Sequence, residues 1–421
     1  MPSFRTLARN HDFTALWVGA TTAELGTRVT TFAAPLVAYA LTRSALWAAA
    51  AEAAWLLGLV VTLLPAGVLA DRRHRLRIMR LSLGAGVLLY ASLAVAGALG
   101  ALTIGHLLVV LLATGVVTGL FGPAEYSSIR AIVSDDELPT ALSQQQARQH
   151  VAALLGGPLG GALYGLARWA PFATNAVMYA VGWLLLGRVR ADLAARPATP
   201  GAPAARPLQD IAEGARFIWG RPFLRVLLFW SPAVNLTTNA LFFVALLRLI
   251  DAGFPAGQIG LVEAAMGAFG VLGAIAAPTL VERFATGRLT VLVAWSFVPL
   301  AIPLAFWNHP LSLATAASVG VFLNPAGNAG VGAYRMAITP RQMIGRVQST
   351  TQFVSMVTMP LAPALAGALL TGLGGRDAVL ACVGATAALA LVPTLAHSVR
   401  SVPRPAAWPR LEEPAPQPVA V

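Results

Sequence analysis

Apolar stretches long enough to cross a bilayer recur along this chain, separated by short breaks rich in Arg, Pro and Gly. A spanning helix needs about 20 apolar residues. The pattern predicts twelve: 14–41, 45–70, 77–103, 105–130, 139–167, 170–189, 223–250, 257–281, 288–306, 310–334, 342–372 and 377–397. The longest polar stretch, 191–222, divides them six and six. Ala194 to Pro207 reads as an Ala/Pro-rich linker. Leu208 to Gly220, with Ile211, Ala215 and Ile218 on one face, reads as a short interfacial helix. The expected architecture is an all-α membrane protein of two pseudo-symmetric six-helix bundles, 1–190 and 223–398. A Pro-rich tail, 399–421, is expected to be disordered.

Composition agrees with the pattern. Only 11% of the 421 residues are charged and 57% are hydrophobic, whereas soluble chains carry about 25% charged residues. The first apolar stretch is about 28 residues long, more than the core of a cleaved secretory signal. A net charge of +12 would suit a nucleic-acid binder, but the basic residues, all Arg, sit in the breaks between spans. With the N-terminus in the cytoplasm, the breaks on that side collect most of the Arg. Arg43, Arg168, Arg248 and Arg376 remain outside and Arg28 within the bilayer. Positive residues mark cytoplasmic loops, so both termini are expected there, in a bacterial inner membrane. No nucleic-acid partner is expected. Trp17, Trp47, Trp169, Trp219 and Trp307 fall near span ends, as interfacial anchors do. The single Cys382 offers no disulfide.

The halves echo each other at an offset near 211. Glu52 matches Glu263, Asp71 matches Glu282, and Arg72 matches Arg283. Glu24 and Arg28 fall over Asn235 and Asn239, and Gly122–Ala124 echoes Asn324–Ala326 at an offset of 202. Repeat-built helical membrane proteins typically bind their substrate between the repeats.

Three motifs stand out. Gly67–Arg75 (GVLADRRHR) joins the second and third spans, and Pro278–Arg288 echoes it weakly. Gly67 permits close helix approach, and Asp71 can cap a helix or pair with an Arg. The fifth span holds Gly156, Gly157, Pro158, Gly160 and Gly161, residues that allow kinking and tight packing. Pro340–Val347 (PRQMIGRV) precedes the eleventh span. The first motif resembles the loop signature of the major facilitator superfamily, with His74 in place of the usual Gly. The second is similar to that superfamily's antiporter motif, with Ala153 at its upstream Gly. Together with the Pro-Ala elements at Pro123 and Pro325, the chain resembles the drug:proton antiporter branch that holds enterobactin exporters and macrolide-efflux proteins. The resemblance covers residues 3–398. It implies the major facilitator fold, export and proton antiport. It also implies a gating role for Gly67, Asp71, Arg72, Arg75, Glu282 and Arg283 and an antiporter role for Gly157, Pro158, Gly160 and Gly161. Two departures are Thr27 after Gly26, where the branch often has Asp, and a fourth span without an intramembrane Arg.

Charges at bilayer depth cost about 2.5–3.5 kcal/mol each and mark candidate function. They are Glu24, Arg28, Glu52 and Glu263, with Glu125 near the end of the fourth span. Glu24 and Arg28 lie one turn apart and can pair, and Glu52 is expected within reach of Arg28. Burial favours the protonated carboxyl and a neighbouring guanidinium the ionised one. A proton-coupling network, a static ion pair and a substrate contact are all open from the residues. By the resemblance, spans one, four, seven and ten face a central cavity. Thr21, Thr114, Thr118, Phe121, Asn235, Asn239, Phe242, Asn324 and Asn328 lie on them, a mix that suits an amphipathic, largely uncharged ligand. The same amides and hydroxyls also serve helix packing.

The six His residues are scattered, and no H-E-x-x-H, P-loop or G-x-S-x-G occurs. No enzymatic activity, metal or cofactor is expected. The expectation is a monomeric secondary carrier exporting a small hydrophobic or amphipathic molecule such as a drug, siderophore or secondary metabolite. An uptake symporter or lysolipid/sugar carrier is the alternative. A membrane-embedded enzyme or sensor is the remote one.

Overall fold

The computed structural model describes residues 9–134, 137–194 and 207–408, together with Leu7. The first six long helices are α1 (His11–Thr42), α2 (Ala45–Arg72), α3 (Arg75–Ala98), α4 (Ile104–Ile132), α5 (Leu138–Leu166) and α6 (Ala170–Leu186). A short helix, α7 (Pro207–Trp219), leads into α8 (Pro222–Asp251) and α9 (Ala256–Arg283). The ninth span comes in three pieces, α10 (Thr286–Ser296), α11 (Val298–Ala301) and α12 (Pro303–Phe306). Then follow α13 (Pro310–Ala337), the pair α14 (Arg341–Thr358) and α15 (Leu361–Leu373), α16 (Gly375–Leu395) and α17 (His397–Arg400). Twelve long segments result, six on each side of α7. Among the described residues, eight helices are long and apolar enough to cross a membrane, and α6 is shorter but apolar. The long helices α1, α5 and α13 are more polar: they carry Glu24 and Arg28, Gln144 to His150, and Asn324 and Asn328.

Two predicted spans were drawn unbroken and are not. Pro299 and Pro303 lack the N–H that continues a helix and clash with the preceding turn, so span 288–306 is divided. Pro360 separates α14 from α15 in the same way. Prolines 35, 123, 158 and 325 stay within continuous helices, because neighbouring helices can re-satisfy the freed carbonyls.

Local chemistry fixes the helix ends. Asn10 caps α1, its side-chain oxygen accepting from the N–H groups of Asp12 and Phe13 at 3.1 Å. Asp12 then accepts from the N–H groups of Arg190 at 2.8 Å and Ala191 at 3.0 Å, tying the start of α1 to the chain beyond α6. At its far end α1 closes on Arg43, which has φ 53°.

The tail departs from expectation over 399–408. Val399 and Val402 are buried, and Trp408 packs on Tyr334 with ring centroids 5.5 Å apart. The free N–H groups at the start of α10 explain this order. Thr286 N–H donates to Pro403 O at 3.2 Å, and Gly287 N–H donates to Val402 O at 3.1 Å. The remaining tail, 409–421, and the linker stretch 195–206 lie outside the described residues. The helix expected at 208–220 is α7. It docks on α14 through Glu213 and Arg346, 2.7 Å apart.

Helices pair in matching fashion in the two halves. In the first, α2 packs on α4 where Gly58 meets Leu112 and Gly115. In the second, α9 packs on α13 where Gly273 meets Phe322. The first half has its own core, including Leu16, Met79, Tyr90, Leu111 and Phe172. A second core crosses the halves: Phe32, Leu36, Ala48 and Ala49 pack with Leu241, Val244, Ile259 and Ala366. This shared core lies at the end of the molecule where α1 turns into α2, called the closed end below. There Gly367 of α15 also abuts Leu46 and Ala49 of α2, and Tyr39 of α1 donates a hydrogen bond to Asp251 at the end of α8.

Candidate transport site

The glycines of α5 form two seams on neighbouring faces of one helix. Gly156 and Gly160 face α1: an added Cβ would stand 2.5 Å from Arg28 Cβ at the first and 2.8 Å from the Phe32 ring at the second. Gly157 and Gly161 face α9 of the other half. A Cβ at Gly157 would stand 2.8 Å from both Cβ and Oε2 of Glu263, and one at Gly161 would stand 2.5 Å from Ala256 O. Each seam repeats every four residues, the spacing at which small side chains let helix backbones touch. A larger residue at Gly157 or Gly161 would hold the halves apart.

These seams bring charges from both halves together. Arg28 Nε donates to Glu24 Oε1 at 2.9 Å along α1. Glu52 of α2 and Glu263 of α9 lie within electrostatic range of each other and of Arg28. Each is the eighth residue of its helix, so the sequence repeat places two carboxylates at equivalent depth. Among the described residues the ion pair of Arg28 is with Glu24; the expected approach to Glu52 is electrostatic, not a direct bridge.

Toward the opposite end, Glu125 of α4 meets Arg148 of α5. Oε1 lies 2.8 Å from Nη1, Oε2 accepts from Nη2 at 3.2 Å, and both side chains are buried. Glu24 lies within electrostatic range of Glu125. The charges therefore form a ladder: Arg148 and Glu125, then Glu24, then Arg28, then Glu52 and Glu263. Arg148 escaped sequence reasoning because its position early in the fifth span reads as one more basic residue near a loop. Its complement, an unpaired acid in the fourth span, was the available signal.

A cavity of about 270 Å³ opens within the second half. Its polar rim is Asn235, Thr238, Asn239 and Asn324, and its apolar wall includes Trp230, Phe242 and Phe297. No lining residue is ionisable. Trp230 is held by its indole N–H donating to Leu389 O at 2.8 Å. Asn239 Nδ2 donates to Asn235 O at 2.7 Å, and Asn324 Oδ1 accepts from Asn328 at 2.8 Å. Among the described residues, Asn239 Oδ1 and Asn324 Nδ2 make no hydrogen bond.

A sequence profile of the Major Facilitator Superfamily matches residues 16–327. The chain belongs to this superfamily. It is 27% identical over 415 residues to the uncharacterized MFS-type transporter y4rN of Sinorhizobium fredii (strain NBRC 101917 / NGR234), covering 93% of this chain and 96% of that protein. Its fold is similar to a bacterial homologue of the human lysosomal transporter Spinster, solved inward-facing and unoccupied, with TM-score 0.70 and 15% identity over 96% of this chain and 99% of that one. It is also similar to the nucleoside transporter NupG, with TM-score 0.71 and 10% identity over 91% and 98% of the two chains. Identities this low carry the fold alone. The protein is thus a multi-pass membrane transporter of the twelve-helix superfamily fold.

Within this superfamily fold, the nine residues expected to line a cavity are divided. Asn235, Asn239, Phe242 and Asn324 line the one described, and Asn328 positions Asn324. Thr114 does not: it is fully buried in the first half, its hydroxyl donating to Leu111 O at 3.0 Å. Thr118 bonds back to Thr114 O at 2.9 Å and Thr21 to Trp17 O at 2.6 Å, as helical Thr commonly does. Phe121 packs against the core of the first half. Thr238, Trp230 and Phe297 were missed. Thr238 shares a face with Asn235, whereas nothing local marks Phe297, which arrives from the broken ninth span.

Of the loop motif, the side chains of Gly67, Asp71 and Arg72 lie outside the described residues. Arg75 reaches Ser127 O at 3.5 Å, joining the start of α3 to α4. Glu282 and Arg283 are exposed at the end of α9.

Proposed function

We propose that this protein is a proton-driven exporter of an uncharged amphipathic molecule, working as a monomer by alternating access in the inner membrane with both termini in the cytoplasm. The observation that carries the reading is the pair Glu52 and Glu263, one carboxylate from each half, beside Arg28 at the closed end. Two ionised carboxylates repel, and one guanidinium already engaged by Glu24 offsets them only in part. Closure of this end is therefore favoured when one carboxyl takes up a proton. A proton taken up from outside thus closes this end, and its release to the cytoplasm as substrate loads lets the end reopen.

Three features support export of this kind. The glycine seams of α5 are similar to the superfamily's antiporter motif, as expected for the drug:proton antiporter branch. The cavity carries amides, a hydroxyl and aromatic rings but no charge, so a neutral ligand loses no solvated ion on entering. The Arg bias supports a closed end that lies outside and hence a state open to the cytoplasm, where an exporter loads. The bundles 1–190 and 223–398 then rock about the seam between α5 and α9, and Gly67, Asp71, Arg72, Glu282 and Arg283 guard the cytoplasmic ends.

The test is transport by proteoliposomes holding the purified protein, using a panel of fluorescent neutral and cationic drugs under an imposed proton gradient. The reading expects uphill movement of neutral compounds that an uncoupler abolishes and that Glu263→Gln lacks. Accumulation in inside-out vesicles fits export. Loss from them would assign the uptake symporter instead.

A further inference from the structure

The elbow between α7 and α8 presents a stripe that nothing in the transport cycle uses. Arg221, Arg225 and Phe229 follow one another at four-residue spacing along the start of α8, a line of about 12 Å. Phe217 and Trp219 of α7 flank it. The Arg221 guanidinium lies 4.4 Å from the centre of the Phe217 ring, and that of Arg225 lies 5.9 Å from Trp219. Trp219 in turn meets Phe229 edge to face at 6.0 Å. Trp219 and Phe229 are both more than half exposed, at 59% and 56%.

Arg216 shares the exposed face of α7 with Trp219. Glu213, on that same face, is engaged by Arg346 at 2.7 Å. Arg216, Arg221 and Arg225 make no ion pair among the described residues. The stripe ends at the N-terminus of a 30-residue helix, whose partial positive charge adds to theirs. Charge therefore gathers at the level of the helix start and gives way to exposed aromatic surface about one turn further into the span.

The geometry points to a binding site for an anionic phospholipid of the adjoining leaflet. Its phosphate lies against Arg216, Arg221 and Arg225, and its acyl chains lie along Trp219 and Phe229. Guanidinium groups match phosphate oxygens in fork geometry. Stacking on Phe217 and Trp219 orients two of them in advance, so less side-chain freedom is lost on binding. A soluble anion would satisfy the arginines but leave the aromatic half of the stripe uncovered, which selects a lipid. Because the lipid would touch both α7 and α8, it would also fasten the helix between the halves to the second bundle.

The experiment is native mass spectrometry of the full chain released from nanodiscs containing equal phosphatidylglycerol and phosphatidylcholine. The wild type is expected to retain phosphatidylglycerol in preference. Arg221→Gln/Arg225→Gln should lose that preference by about twenty-five-fold, each juxtamembrane arginine contributing about fivefold. Arg221→Lys/Arg225→Lys should keep most of it, and Arg376→Gln, which removes a cation stacked on Phe306 elsewhere, should keep all of it. Thermal melting of each variant separates loss of lipid from loss of fold. Equal retention of the two lipids by the wild type, or undiminished preference in a folded Gln double variant, would overturn the proposal.

Discussion

Arg28 and Glu263, from opposite halves of the protein, rest on consecutive residues of one helix. Gly156 of α5 accommodates the first and Gly157 the second, each at a distance that leaves no room for a methyl group. The two charges thus meet only when α1, α5 and α9 are fully packed. Packing at the closed end and the electrostatics of the ladder are one event.

It follows that Gly157→Leu should hold this end ajar. An added side chain would collide with Glu263 and, at 2.9 Å, with Gly260 O. Transport is expected to fall by more than tenfold, the cost of a few kcal/mol of overpacking. Ala49→Cys reports the same defect. It is buried against Gly367, and the native Cys382 is buried too, so background labelling is low. A membrane-impermeant maleimide should label it faster in the Gly157→Leu background than in the wild type.

Glu52→Gln and Glu263→Gln each remove one of two like charges. Either variant should favour the closed end and lose its response to pH. Proton-driven uphill transport is expected to disappear, while downhill exchange of substrate across equal pH survives. Counterflow in proteoliposomes separates the two activities.

Glu125 and Arg148 form a buried pair within the first half. Glu125→Leu alone would leave an uncompensated guanidinium and cost about 3–5 kcal/mol, whereas Glu125→Leu/Arg148→Met should recover most of the loss. Thermal melting in detergent checks both. By contrast, Glu213→Ala breaks an exposed pair and should cost less than about 1 kcal/mol.

In the second half, Asn239→Ala and Asn324→Ala each remove one of the polar groups aimed at the cavity. Each is expected to weaken substrate binding by about five- to tenfold, the worth of a hydrogen bond to a neutral group. Thr114→Val, at a site expected from the sequence to face substrate but buried elsewhere, should leave affinity unchanged. Equilibrium binding of a transported compound distinguishes them.

Much of the fold was legible because a bilayer imposes length and polarity on every span. Twelve segments and the matched helix positions of Glu52 and Glu263 follow from spacing along the chain. The breaks at Pro299, Pro303 and Pro360 were not foreseen. A membrane helix often tolerates proline, as it does at Pro158, and which prolines divide a span depends on neighbours the sequence does not order. The order of 399–408 was hidden for a related reason. Its Pro content argues for disorder, yet the bare N–H groups of Thr286 and Gly287 give its carbonyls a partner. At the site, Glu24, Arg28, Glu52, Glu125 and Glu263 stood out because a charge is costly in lipid, whereas Arg148 passed for a loop residue. The cavity was only half readable, since Thr114 and Thr238 look alike in sequence and only helix rotation tells them apart.

The central claim is that protonation at Glu52 and Glu263 closes the end where α1 meets α2. Its most direct measure is the distance between spin labels at Leu46 and Leu373, across α2 and α15, by pulsed electron resonance in nanodiscs. The wild type should show a short distance at acidic pH and a longer one at alkaline pH, and Glu52→Gln/Glu263→Gln the short distance at both. A wild-type distance that does not move with pH would contradict the account.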